Sequence, residues 1–167
     1  MPQLIPSVPV EEISPYSEQT VVAALLAQLP DDCRIYHNYE FLTKGGGATG
    51  KALQEGEIDA VILWPDKGLL VLEIKGGQIS YCAHKAIWTT SNRHGTATIK
   101  DPISQARGNM HALIKAIEKQ LNKKLNGSLT HGFAVIFPTS RSEGDLPHSI
   151  DTAIICDATD LRLLADL

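Results

Sequence analysis

The chain lacks the cysteine pattern of a secreted or zinc-stabilised protein. Its 167 residues include three cysteines, Cys33, Cys82 and Cys156, and no two of them form a CxxC pair. This spacing argues against a disulfide framework and a zinc knuckle, and it predicts a cytoplasmic protein. No apolar run is long enough to span a bilayer and no signal peptide is visible, so no membrane partner is expected.

A positive net charge is also missing. The formal net charge is -4, so any binding of a polyanion would need a local basic patch or a bound metal ion. The six histidines are dispersed, with no HExxH spacing and no Ser-His-Asp pattern, and are expected to be mostly surface or structural. A hydrophobic content of 43% and a charged content of 20% are ordinary for one soluble globular domain.

The stretch from residue 56 to residue 75, GEIDAVILWPDKGLLVLEIK, predicts a β-hairpin. Residues 65–68 (PDKG) are turn formers, and the runs on either side are rich in Val, Ile and Leu. Residues 58–64 and 69–75 are therefore predicted to be paired antiparallel strands. Both faces of these strands are largely apolar, which is typical of strands covered by helices on both sides.

Three charged side chains in this hairpin predict a metal site. A three- or four-residue turn places Asp59 opposite Glu73 or one residue away. With the three-residue turn, Asp59 and Glu73 lie on one face, and Lys75 follows Glu73 on that face. Charges among apolar side chains are costly unless they are paired or bound to metal, and carboxylate oxygens suit Mg²⁺. Two carboxylates and a lysine that can hold a water are the layout of metal-assisted phosphodiester hydrolysis. The alternative is a Glu73–Lys75 salt bridge at a strand end.

Two helices are predicted to flank the hairpin. Ser14-Pro15 begins the first, which runs to about Leu29 with Ser14 as its cap. Glu18 falls on the apolar stripe of this helix and is expected to point inward, although a first-turn glutamate is also favoured by the helix dipole. Asp101-Pro102 begins the second helix, which is predicted to run to about Leu125 and to stop at residues 126–127.

A glycine-rich loop is predicted between residues 43 and 55. It contains GGGATGK at residues 45–51, which matches the phosphate-binding pattern GxxxxGK. The match is rejected because Ala52 stands where the motif needs a hydroxyl, and because no helix follows. Instead, we expect Lys44 and Lys51 to contact substrate phosphates from a loop beside the hairpin.

The remaining pattern completes an α/β fold. Strands are predicted at residues 33–41, 78–81, 86–90, 132–137 and 152–156, with an exposed connection at 92–100 and a last helix from 160. Helices would cover both sides of a mixed sheet. Residues 1–14 are expected to be an extended lead-in, and 15–167 one domain. The chain ends just inside a predicted helix, as a module of a larger protein would.

These segments together resemble a known nuclease family. GEIDAVILWPDKGLLVLEIK resembles the PD-(D/E)XK superfamily, in which an Asp is followed by (D/E)-x-K on the next strand. The combination of GEID, LEIK and a helix that opens with DPISQA is similar to the NERD (nuclease-related) domain over about residues 15–125. One departure is Gly76-Gly77 after the lysine, where NERD domains usually carry an aromatic residue near a glycine.

The resemblance implies a restriction-endonuclease-like three-layer α/β/α sandwich with a central mixed β-sheet. It also implies cleavage of DNA with Mg²⁺ or Mn²⁺ in DNA processing or repair, and a helicase or another DNA-processing protein as a partner. The residues that it assigns as metal ligands are Asp59, Glu73, Glu18 and the backbone carbonyl of Ile74. Lys75 would act on the attacking water and the pentacoordinate phosphate, Gln105 would support the lysine or the substrate, and Asn109 would contact the substrate.

Two other functions remain open at this point. The first is a catalytically silent nuclease-like module that binds DNA or a partner protein through the same face. It is disfavoured because every acidic and lysine position of the pattern is present. The second, a nucleotide-binding module built on residues 45–51, would require measurable ATP binding and carries little weight. Cleavage in the presence of Mg²⁺ separates the nuclease from the silent module.

Overall fold

The protein is described by a computed structural model that covers residues 1–44, 53–125, 127–141, 146–147 and 150–166, with the side chains of 42–44 and 53–55 outside this description. The described part of the chain contains two α-helices and nine strands. The helices are α1 (Tyr16–Gln28) and α2 (Pro102–Leu121). The strands are β1 (Gln3–Ile5), β2 (Arg34–Lys44), β3 (Leu53–Trp64), β4 (Gly68–Ile74), β5 (Gln78–Cys82), β6 (Ile87–Asn92), β7 (Gly95–Ile99), β8 (His131–Phe137) and β9 (Ile155–Asp157).

The strands form two sheets. The larger sheet has the order β1-β2-β3-β4-β8-β9, and the smaller has the order β5-β6-β7. In the larger sheet β2–β3 and β3–β4 are antiparallel, whereas β1–β2, β4–β8 and β8–β9 are parallel. The predicted mixed central sheet is confirmed, with the central hairpin in its middle.

The two helices cover opposite faces of the larger sheet. Val21 and Leu25 of α1 pack with Leu72 in one buried cluster. Met110 and Leu113 of α2 belong to another cluster on the other face, which also contains Ile58, Val61 and Val71. The fold is therefore a three-layer α/β/α sandwich of the restriction-endonuclease-like type, as predicted. Burial on both sides explains why the hairpin strands are apolar on both faces.

Of the three- and four-residue turns that the sequence leaves open, the central hairpin has the three-residue one. Trp64 pairs with Gly68 and Ala60 pairs with Leu72, so residues 65–67 form the turn. Gly68 has φ +117°, and a Cβ atom there would overlap the carbonyl oxygen of Thr130. Only glycine adopts this φ without strain, so the sequence and the close approach of residue 130 together fix where β4 begins.

The predicted start of α2 is confirmed, but its predicted end is not. The Asp101 carboxylate accepts a hydrogen bond from the Ile103 amide at 3.0 Å, with Pro102 in the first turn. The helix ends at Leu121 rather than near residue 125. Asn122 adopts the left-handed conformation, with φ 49°, and its amide donates a hydrogen bond to the Glu118 carbonyl. The helix is therefore capped about one turn before its predicted end.

The start of α1 also differs from the prediction. Pro15 occupies the cap position, Tyr16 is the first helical residue, and no side chain caps the helix. Ser14 therefore does not act as the cap. Proline at this position still fits the helix start, because the backbone before the first turn is extended and needs no amide donor there.

Three segments were predicted wrongly, and the extended lead-in contains a strand that was not predicted. Residues 3–5 form β1, which pairs in parallel with β2. Residues 95–99, predicted as a connection, form β7 against β6. Residues 152–154 form a 3₁₀ turn begun by the Asp151 carboxylate, which bonds the Ala153 amide, and the strand starts only at Ile155. Residues 160–166 form two short 3₁₀ turns instead of an α-helix.

Three features bear on the environment of the chain. No helix in the described ranges is both long enough and apolar enough to cross a lipid bilayer. Cys33, Cys82 and Cys156 are free thiols. Cys33 and Cys156 are buried, and burial raises the pKa of the Cys156 thiol to about 11. These two residues therefore contribute to the core as small apolar groups.

Candidate active site

The site begins where β3 and β4 separate. Their pairing ends at Ala60 and Leu72, so Asp59 and Glu73 follow as the next opposed positions. Beyond this point the Ile74 amide donates a 2.6 Å hydrogen bond to Oδ2 of Asp59. The Asp59 carboxylate thus accepts the hydrogen bond from Ile74 that a backbone carbonyl of β3 would accept if the pairing of the two strands continued. β4 itself continues along β8, because the Lys75 amide donates to the Ile136 carbonyl at 3.0 Å.

Glu73 is held from two directions. Its side chain is 3% exposed, and its Oε1 lies 2.5 Å from Nζ of Lys75, whose side chain is 25% exposed. Nδ2 of Asn109 on α2 donates to Oε2 of Glu73 at 3.4 Å and to the Glu57 carbonyl at 3.1 Å. The first third of α2 is thereby joined to both strands of the hairpin.

Glu18 comes to the site from α1. Its Oε2 lies 2.8 Å from Nε2 of His37 on β2, and the two side chains are 15% and 10% exposed. Glu18 therefore points inward, as its place on the apolar stripe predicted. His37 pairs with Ala60 in the sheet, one residue from Asp59.

His37 is a site residue that the sequence interpretation missed. The histidine was expected to be surface or structural because no metal-ligand spacing includes it. A signal was nevertheless present in the sequence: Cys33, Ile35 and His37 alternate along the predicted strand 33–41, so His37 shares a face with two apolar residues. A histidine on the buried face of a strand needs a polar partner, and that partner is Glu18.

Three carboxylates share one electrostatic environment. Burial raises the pKa of Glu73, the charge of Asp59 raises it further, and Lys75 partly offsets both effects. Burial also raises the pKa of Asp59, against the hydrogen bond from Ile74 and the charge of Lys75. The pKa of Glu18 is raised by burial and by Asp59, while the hydrogen bond to His37 opposes the rise. Excess negative charge is therefore concentrated here.

The donor chemistry of this cluster fits a hard divalent cation. Carboxylate oxygens are the ligands that Mg²⁺ and Mn²⁺ prefer, and a cation would offset both the burial and the mutual repulsion that raise these pKa values. Asp59 and Glu73 are the adjacent pair. A third side-chain ligand is not in place: within the described ranges, no three His, Cys, Asp or Glu side chains converge as metal ligands. Glu18 is instead bound to His37.

The other sequence-predicted residues are distributed differently. Asn109 joins the cluster through Glu73. Gln105 is half-buried in the first turn of α2, and its side chain makes no hydrogen bond to another described residue. At Ile74 it is the amide that contacts Asp59. The side chain of Lys44 and all of Lys51 lie outside the described residues.

Comparison with known proteins supplies the family. A family model described as NERD, nuclease-related domain, matches residues 15–138. No curated protein and no solved structure matches the chain. The matched range contains both helices, the central hairpin and every side chain of the cluster described above, and it covers well over half of the sequence. The chain therefore belongs to the NERD, or nuclease-related domain, family.

Proposed function

We propose that this protein is a metal-dependent DNA nuclease that hydrolyses phosphodiester bonds in DNA processing or repair. The observation that carries the proposal is the placement of Asp59 beside Glu73 at the end of the β3–β4 ladder, with Lys75 Nζ 2.5 Å from Glu73. The two carboxylates, whose pKa values are raised, can bind a metal cation, and the ammonium group of Lys75 can bind a phosphate anion next to that cation. We propose DNA as the substrate and a helicase or a similar DNA-processing protein as a partner. We propose the cytoplasm as the compartment.

Each side chain has a role under this proposal. Asp59 and Glu73 would hold Mg²⁺ or Mn²⁺, with Glu18 and the Ile74 carbonyl available to complete the ligand set. When bound, such an ion activates water as a nucleophile and stabilises charge on the phosphate. Lys75 stands beside Glu73 on the strand, where its ammonium can orient the attacking water and stabilise the pentacoordinate phosphate.

Three further contacts would position the ligands. Asn109 restrains Glu73 through Oε2, which leaves fewer rotamers to lose when a ligand binds. His37 restrains Glu18 through the 2.8 Å hydrogen bond. The Ile74 amide restrains Asp59 at 2.6 Å. A cluster held in this way resists reorganisation, which is what electrostatic stabilisation of a transition state requires.

A second candidate function is a catalytically silent module that binds DNA or a partner protein. The observation in its favour is that protein groups already engage two of the acidic residues, Glu73 by Lys75 and Glu18 by His37. The second oxygen of Glu73 nevertheless accepts only a long, 3.4 Å hydrogen bond from Asn109, and no position of the acidic and lysine pattern has been replaced. We therefore favour the active nuclease.

Digestion of supercoiled plasmid and linear DNA with Mg²⁺ or Mn²⁺ tests the proposal. We expect the wild type to cleave, EDTA to abolish cleavage, and Lys75→Ala to reduce it strongly. A matched control is Lys67→Ala, which removes another lysine of the same hairpin, one that lies over the Trp64 ring at 3.9 Å. Binding of DNA without cleavage in either metal would favour the silent module instead.

A further inference from the structure

An apolar groove lies on the α2 side of the larger sheet and is not used by the proposed chemistry. Its volume is about 310 Å³, and β2, β3 and α2 form its walls. The lining relevant here consists of Tyr36, Tyr39, Leu63, Leu113, Ile117 and Leu129. We call it the tyrosine groove, because Tyr36 is half-buried and Tyr39 is 37% exposed in it.

The tyrosine groove lies near the candidate active site, along the same strands and the same helix. Tyr39 pairs in the sheet with Ile58, the neighbour of Asp59. On the helical wall, Leu113 lies one turn after Asn109, which binds Glu73. A strand of nucleic acid whose phosphate reaches Asp59 and Glu73 would therefore have its neighbouring nucleotides at this groove.

Aromatic rings form a short ladder along the β2 wall. Tyr36 and Tyr39 meet edge to face, with ring centroids 6.1 Å apart. Tyr39 and Phe41 are stacked, with centroids 6.5 Å apart and an angle of 21° between the rings. Tyr39 is the exposed ring of this ladder and Tyr36 is half-buried beside it. Aromatic rings along a groove are the platforms on which unpaired bases stack, and stacking tolerates any base sequence.

A positive charge lies at one end of the same groove. Arg34 is exposed and pairs in the sheet with Leu63, at the end away from Asp59. Arg34 forms no ion pair with another described residue. An unpaired cation beside aromatic rings suits a polyanion with flat bases, whereas a second copy of the chain seated on the groove would bring a like charge to it.

We infer that the tyrosine groove binds single-stranded DNA next to the cleaved bond, with bases on Tyr36 and Tyr39 and a phosphate at Arg34. This inference rests on the proposed function and names its substrate class. A base in a duplex is stacked on its neighbours and must be unstacked before a side chain can cover its face. The protein should therefore prefer single-stranded or frayed DNA.

Fluorescence anisotropy in EDTA tests this preference without cleavage. Labelled single strands and duplexes of the same sequence are titrated with the wild type, Tyr39→Ala, Tyr39→Phe and Tyr16→Ala. Tyr16→Ala is the matched control, since Tyr16 is 71% exposed on α1, outside the groove. We expect the wild type to bind single strands more tightly. Tyr39→Ala should weaken that binding roughly tenfold and leave duplex binding nearly unchanged, whereas Tyr39→Phe, which keeps a ring, should not.

Three results would overturn the inference: equal affinity of the wild type for both DNA forms, an unchanged single-strand affinity of Tyr39→Ala, or a wild-type dimer that Tyr39→Ala converts to a monomer. The last result would assign the groove to a second copy. None of these results removes the nuclease proposal, which stands or fails on metal-dependent cleavage. Conversely, selective single-strand binding without cleavage would support the groove and contradict the nuclease.

Photo-crosslinking of the wild type avoids any dependence on variants. Single-stranded DNA that contains bromodeoxyuridine is irradiated with the protein, and the adducts are mapped by mass spectrometry. We expect adducts on Tyr36 or Tyr39. Adducts confined to the other aromatic residues, such as Tyr16 or Tyr81, would show that bases bind elsewhere and would overturn the inference.

Discussion

The amide of Ile74 donates a 2.6 Å hydrogen bond to Oδ2 of Asp59, although the two residues are 15 positions apart. The pairing of β3 with β4 stops at Ala60 and Leu72, immediately before this contact. A carboxylate therefore satisfies a backbone donor that would otherwise be orphaned at the end of the ladder. The same contact holds Asp59 beside Glu73, and several measurable consequences follow from that placement.

Asp59→Asn should make the metal-free protein more stable at neutral pH. The pKa of Asp59 is raised in the folded state, so the folded state binds the proton more tightly than the unfolded chain does. The unfolded chain therefore has fewer protons between the two pKa values, and stability falls as pH rises through that window. Asparagine keeps an acceptor for the Ile74 amide and removes the charge.

Thermal melts in EDTA across a pH series check this expectation. One unit of pKa shift corresponds to about 1.4 kcal/mol, or roughly 3–5 °C for a chain of this size. The variant should melt higher at neutral pH, and the difference should close as Asp59 becomes protonated at acid pH. Asp151→Asn is a control in which the carboxylate also accepts a backbone hydrogen bond, from Ala153, but at an exposed site. A wild type that is more stable than Asp59→Asn at every pH would contradict the prediction.

Glu73→Gln should remove most of the stabilisation that a divalent ion gives. An ion that binds only the folded state stabilises it by about 2.7 kcal/mol at a hundred times its dissociation constant, or roughly 5–10 °C. Melts with and without Mn²⁺ measure the shift. Glu118→Gln is the matched control, because Glu118 also binds a lysine, Lys124 at 2.8 Å, but lies at the far end of α2. An undiminished shift in Glu73→Gln would place the ion elsewhere.

Lys75→Ala should separate metal binding from cleavage. The Mn²⁺-induced melting shift should survive or grow, since a positive charge 2.5 Å from Glu73 is removed. Cleavage should fall roughly 10²–10³-fold, because the water and the developing charge on phosphate lose their cation. The two assays are run on the same preparation. Loss of the melting shift together with cleavage would mean that Lys75 is needed to build the site.

His37→Ala should destabilise the protein by leaving Glu18 without its partner. Glu18 is 15% exposed, and loss of a hydrogen bond to a largely buried polar group costs about 1–3 kcal/mol. His84→Ala, at an exposed position, serves as the control. Chemical denaturation at neutral pH gives both free energies of unfolding. Equal losses in the two variants would show that the His37–Glu18 contact contributes nothing to stability.

How far the fold follows from the sequence is clearest in the hairpin. Residues 65–68 place a turn between two apolar runs of fixed length, and side chains alternate along each run. The pairing register of the two strands then determines the sheet face on which each side chain lies, because a slip by one residue would turn every apolar side chain to the other face. Asp101-Pro102 determines the start of α2 in the same local way, through a cap and a fixed φ.

Contacts between distant segments were decided only by the tertiary structure. Glu18 could be assigned to the inward face of α1, but periodicity does not reveal which strand residue it meets, and His37 is 19 positions away. The tyrosine groove likewise forms only because α2 packs beside β2 on one face of the sheet. Local patterns fix the face of each element, whereas the partner across the interface depends on how the layers pack. The sequence alone therefore determined the hairpin and its acidic pair, and the packing of α1, α2 and β2 around it decided the rest of the site.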